Sequence, residues 1–184
     1  MKKVNGDIST ETILSWKDGD TKAFGRIVLM YMKTAYYAAL GYVGNVEDAK
    51  DLSQEAFVAT FKARRRFDVT KPFFPWFYTI LRNICLNFIK RHQSLKVTSE
   101  VLEYIANGNE NPESYVSNSE KANIIWEALF KLSPDHREVV ILKDLSGFSY
   151  KEIARMLNLP EGTVMSRLYY ARNRLYELLK GFDF

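Results

Sequence analysis

Apolar residues in this chain return every three or four positions, and nowhere do they alternate over any length at the two-residue spacing of a strand. Val164, Leu168, Ala171, Leu175 and Leu178 step by four, three, four and three, which keeps them on one face of a helix. The same spacing places Phe24, Ile27, Val28, Tyr31, Ala35 and Ala38 on a helix over 21–42. Phe77, Ile80, Leu81, Ile84, Phe88 and Ile89 lie on another that ends near His92. Five prolines and nine glycines leave long uninterrupted segments between them, so the expected class is all-α.

Local signals place the ends of these helices. Asn45 is a good N-cap, with Glu47 and Asp48 in the first turn, where the helix dipole favours them; that helix should run to about Arg65. Pro72 and Pro75 suit a turn and a first helical position before the His92 helix. Ser133-Pro134 reads as a cap followed by proline at the first position. Ser149 with Glu152 has the reciprocal pattern of a capping box, opening a short helix over 150–157 before the last one over 161–179.

The chain divides at about residue 96. From Ser99 to Glu120 there are five acids and no Lys or Arg, among Asn, Gly, Ser and Pro, the composition of a linker. The expected organisation is two small helical domains, 1–95 and 119–184. A flexible acidic tether over 96–118 joins them, with at most one short helix near Val101–Ala106.

Composition bounds the chemistry. Twenty-six Lys and Arg against 22 Asp and Glu leave a net charge of +4, which suits an acidic partner without identifying one. The single cysteine, Cys85, excludes an internal disulfide, and His92 and His136 are too far apart in sequence to suggest a zinc site. The N-terminus turns polar after Lys2 and Lys3, and no apolar run approaches the roughly 20 residues that span a bilayer. A soluble protein of a reducing compartment is expected, with no cofactor, no metal and no membrane insertion.

Three clusters carry the function. Ser149–Leu168 has helix-turn-helix shape, whose second helix presents its N-terminal residues to base edges; an ordinary helical hairpin with a basic surface has the same periodicity. Between Lys62 and His92 stand eight basic residues against the one acid Asp68, interleaved with Phe67, Phe73, Phe74, Trp76, Phe77 and Tyr78. Cations that neutralise phosphate beside rings that stack on bases suit an unpaired strand, although aromatics are also the usual substance of a core. Asp48, Asp51 and Glu55 share one helical face, fit either for a basic partner helix or simply for water. No His, Cys or Gly-rich loop accompanies these carboxylates to support catalysis.

At these residues the chain resembles bacterial RNA polymerase sigma factors of the extracytoplasmic-function (ECF) type, over roughly Trp16 to Phe182. Four segments carry the resemblance in the family's order: 48–57 and 74–83 of region 2, and 132–144 and 162–172 of region 4. The resemblance implies a cytoplasmic, non-enzymatic initiation factor that binds core polymerase, recognises promoters and promotes melting. Asp48, Asp51, Leu52, Gln54 and Glu55 would meet the β′ clamp. Arg65, Arg66, Phe67, Lys71, Phe74, Trp76, Arg82 and Asn83 would capture the −10 element. Lys151, Gly162, Thr163, Met165, Ser166, Arg167, Tyr169, Tyr170 and Arg172 would read the −35 element, and the helices before them would meet the β flap. An anti-sigma factor would use the same exposed faces as polymerase. Met165 and Tyr170 stand where the family carries cations, so the family's −35 preference does not transfer. The rival reading is a stand-alone helix-turn-helix regulator that binds duplex DNA without polymerase; a metal-dependent nuclease ranks third.

Overall fold

The computed structural model describes residues 8–95 and 120–182. The acidic tether, and the short helix expected near Val101, lie outside the described residues. Eight α-helices make up the described chain: α1 (Thr10–Asp18), α2 (Thr21–Val43), α3 (Val46–Ala63), α4 (Phe73–Leu95), α5 (Glu120–Phe130), α6 (Pro134–Val140), α7 (Tyr150–Leu157) and α8 (Glu161–Leu179). The predicted caps form. Asn45 Oδ1 accepts from the Asp48 amide at 3.0 Å, and Ser133 Oγ from the His136 amide at 3.4 Å. Pro72 directly precedes α4 and Pro75 is its third residue, within the first turn, where no intrahelical N–H bond is lost.

Helix α1 lies ahead of the first helix that the apolar periodicity marks. Ser9 caps it by accepting from the Thr12 amide at 3.2 Å, and Gly19 closes it at φ 103°, a conformation that favours glycine. Its Trp16 is fully buried at the centre of the first bundle, with Phe24, Phe67, Phe73 and Trp76 around it at ring distances of 5.3–6.4 Å. Phe57 of α3 stacks on Phe77 of α4 at 4.6 Å. Each such burial is worth roughly 1.5–3 kcal/mol, so a nine-residue helix too short to stand alone is held by one tryptophan. Cys85 is buried on α4, and burial pushes its thiol up to about 12. The native chain should therefore resist iodoacetamide at pH 8 and react once unfolded; rapid alkylation of native protein, counted by mass spectrometry, would contradict this placement.

The second bundle packs Leu129, Val139, Leu142, Ile153, Val164, Leu168 and Ala171 inward. After Val140 the helix continues as a π-helical turn over Ile141–Leu145, where the sequence suggests unbroken α-helix. The half-buried Arg137 guanidinium donates to the carbonyls of Leu129, Phe130 and Leu132 at 3.0–3.1 Å, sealing the C-terminus of α5. A fourth bond, 2.8 Å to the Gly41 carbonyl, reaches the first bundle.

That bond belongs to an extended contact of α2 and α4 with α6, the π-turn and α7. Glu138, 9% exposed, accepts from the hydroxyls of Tyr42 and Tyr78, the latter at 2.7 Å, and from Arg82 Nε at 3.3 Å. Phe74 stacks on Phe148 at 4.6 Å. Gly41 suits this contact: a Cβ at this position would run into Ile141 Cδ1, the tip of a side chain that would then have to shift.

Candidate nucleic-acid interface

The acidic face of α3 survives as a surface. Asp51, Gln54 and Glu55 are exposed, Asp48 is half-buried, and Lys50 pairs with Glu47 at 2.9 Å. Burial raises the Asp48 carboxyl above its usual range; nearby His92 lowers it and Asp51 raises it further. Leu52 departs from expectation. It points into the bundle and is buried, so it supports the helix and does not touch a partner. Beside these acids an apolar groove of about 320 Å³ opens between α2 and α3, lined by Val28, Met32, Tyr36, Gln54 and Phe57 among others. Carboxylates flanking an apolar trough match a helix that carries both basic and apolar side chains.

The basic-aromatic segment separates into two populations. Arg65 and Arg66 sit in a 3₁₀ turn after α3, and with Lys71 and Asn83 they are exposed. The Asp68 carboxylate closes the following loop. It accepts from the Thr70 amide at 3.0 Å and hydroxyl at 2.7 Å, which holds it below its ordinary pKa. The aromatics mostly face inward. Phe67 is 2% exposed and Phe74 3%, which corrects their expected role as stacking platforms: Phe67 completes the cage around Trp16, and Phe74 is covered by Phe148 and Tyr31. Trp76 is half-buried against Trp16, Phe67 and Phe73, so truncating it would cost core packing as well as any stacking. Arg82 is held by Glu138. Lys71, Phe73 and Phe74 line one side of a cleft of about 300 Å³, and Phe148 and Glu152 of the second bundle line the other.

The helix-turn-helix is formed by α7 and α8. Ser149 Oγ accepts from the Glu152 amide at 3.3 Å while Glu152 accepts from the Ser149 amide at 2.7 Å, completing the capping box. Asn158, at φ 54°, ends α7, and Pro160 leads into α8. Val164, Leu168 and Ala171 turn inward. Lys151, Gly162, Met165, Ser166, Tyr169 and Tyr170 are exposed, and Thr163 is half-buried. Two expected DNA contacts already have protein partners. Arg167 meets Asp135 at 2.6 Å, and Arg172 Nε meets Asp144 at 3.1 Å. Both acids come from α6 and its π-turn, which α8 packs against. Among the described residues no group of His, Cys, Asp and Glu could hold a metal ion, and no helix is long and apolar enough to cross a membrane.

The family profile of Sigma-70 region 2 matches residues 27–95, and that of Sigma-70 region 4 matches residues 122–175. The ECF RNA polymerase sigma factor SigW of Bacillus subtilis is 32% identical over 174 residues, 89% of this chain and 92% of that protein. The ECF RNA polymerase sigma-E factor of Escherichia coli K12 is 31% identical over 166 residues, 85% of this chain and 86% of that one. Among solved structures, the sigma factor RpoE from Bartonella quintana, in complex with the anti-sigma factor NepR, is 29% identical with a TM-score of 0.71, over 88% of this chain and 99% of that one. CnrH, in complex with the cytosolic domain of CnrY, shares the fold at a TM-score of 0.72 and 24% identity, over 96% of this chain and all of that one. Both bundles thus match in order, and near-full-length relatives share about a third of their residues with this chain: it belongs to the ECF RNA polymerase sigma factors.

Proposed function

We propose that the chain works in the cytoplasm as the promoter-directing subunit of RNA polymerase, contributing no catalysis of its own, and that its functional units are 1–95, 96–118 and 119–184. In this reading Asp48, Asp51, Gln54 and Glu55 dock on the β′ clamp, with the adjoining groove receiving apolar side chains. Arg65, Arg66, Lys71 and Asn83, with the outer edge of Trp76, take the unpaired strand of the −10 element. Helix α8 and Lys151 address the −35 element, and α5 and α6 meet the β flap. An anti-sigma factor is a further proposed partner, since the Bartonella relative is held by one. The observation that carries the reading is the separation of charge on one small bundle: an exposed carboxylate face on α3, and exposed cations beginning with the turn that ends it. A stand-alone duplex-binding regulator needs no such docking face.

The test is run-off transcription from genomic fragments by core polymerase with and without the chain; no promoter-dependent transcript above core alone would defeat the proposal. Asn83 gives a sharper check. It is exposed, so Asn83→Ala should leave the fold intact to within about 0.5 kcal/mol. Loss of a base contact worth about 1–2 kcal/mol should reduce open complexes roughly fivefold to thirtyfold. Unchanged permanganate reactivity of the melted strand would remove Asn83 from the site.

A further inference from the structure

Between Glu161 and Ala171 the sole cation of α8 is Arg167, and Asp135 holds it at 2.6 Å. Arg172, the next, is paired with Asp144. Guanine is ordinarily recognised in the major groove by a guanidinium or ammonium offering donors to O6 and N7, and the leading turns of this helix offer neither unpaired. The Ser166 hydroxyl donates to the Thr163 carbonyl at 3.0 Å. What α8 does project is apolar and aromatic. Met165 is 53% exposed, Tyr169 63% and Tyr170 62%. Met165 and Tyr169 are four residues apart and share a face. The Tyr170 ring meets that of Tyr169 edge-on at 5.5 Å and 76°, restricting it.

An exposed thioether with a tyrosine ring one turn further along the same face, near the start of a helix built to enter a major groove, has one specific apolar target there, the C5 methyl group of thymine. We infer that Met165, supported by Tyr169, reads a thymine methyl in the −35 element, so that upstream recognition by this chain rests on methyl contact where an arginine–guanine pair is absent. The inference rests on the reading of α8 as the promoter-reading helix given above.

The test uses holoenzyme assembled from core polymerase and the full chain. An upstream element is first selected from a randomised library. It is then resynthesised with deoxyuridine replacing each thymine in turn, which removes the methyl and nothing else. At one or two positions uracil should weaken wild-type binding about fourfold, the equivalent of one buried methylene-sized group. Met165→Ala should bind thymine and uracil DNA alike, and Met165→Arg should shift selection at that position towards guanine. Because Met165 is exposed, both variants should keep wild-type circular dichroism. A selected element indifferent to uracil, or a uracil effect of undiminished size in Met165→Ala, would overturn the inference while leaving α8 as the reading helix. Failure to enrich any upstream element would overturn the underlying reading as well. Loss of polymerase binding in Met165→Ala, with no uracil effect in wild type, would assign this face to protein instead.

Discussion

Asp51→Arg should abolish stable co-elution with core RNA polymerase while leaving the circular dichroism and melting curve of the free chain unchanged. Asp51 is exposed in the second turn of α3 and holds no part of the bundle together, so the substitution acts on the surface alone. The expected partner is basic, and placing a guanidinium where it expects a carboxylate exchanges attraction for like-charge repulsion, a change of about 3 kcal/mol or more. That is over a hundredfold in affinity. Gln54 and Glu55 remain in the variant, so residual binding should reappear at low salt, where the remaining carboxylates are less screened. Wild-type affinity in Asp51→Arg would show that the clamp docks elsewhere.

The second large effect is expected at Glu138. Its carboxylate gathers the Tyr42 and Tyr78 hydroxyls and the Arg82 guanidinium from the first bundle. Glu138→Ala would strand two phenols and a cation that is itself partly in water, for a loss of about 2–4 kcal/mol. Because all three donors lie on α2 and α4 while Glu138 lies on α6, the loss falls on the contact between bundles. Small-angle scattering of Glu138→Ala should show an expanded particle, with helix content unchanged; a profile superimposable on wild type would refute the assignment. A pH dependence accompanies it. Burial first, and then the Glu138 charge, raise both phenols above their ordinary pKa near 10. A group whose folded pKa is raised contributes stability below its unfolded pKa and loses it as pH climbs. Closure should therefore hold from neutral pH to about 10 and weaken above that.

The features readable from the sequence were those set by neighbours along the chain. Asn45, Ser133 and Ser149 with Glu152 cap helices through atoms three residues away, and the stepping of Val164, Leu168 and Ala171 records one face of one helix. The acidic face of α3 is of the same kind. What escaped depends on distant partners. Helix α1 has proper ends in Ser9 and Gly19, but its reason to exist is a tryptophan that fills a cage built from α2, the loop at Phe67, and α4. Without that cage around Phe67, and without Tyr31 and Phe148 over Phe74, both rings look like bases' stacking partners, since composition cannot tell a ring among cations that faces inward from one that faces out. Arg167 and Arg172 likewise looked available until α6 and its π-turn supplied Asp135 and Asp144. Glu138 sits 96 residues from Tyr42 and 60 from Tyr78, and no local pattern marks it.

Gly41 has a consequence of another order. By giving Ile141 a seat without a side chain in the way, it lets one polypeptide bring two of its own surfaces together, and the resulting equilibrium is unimolecular. Dilution cannot release Phe74 and Arg82, and raising the protein concentration cannot cover them further. Any molecule that needs those residues must bind the parted form better than the joined one, and its apparent affinity is scaled by the fraction already parted. Every 1.4 kcal/mol of closure then costs such a ligand tenfold, whereas a ligand that spans both bundles as they stand here is spared that cost entirely.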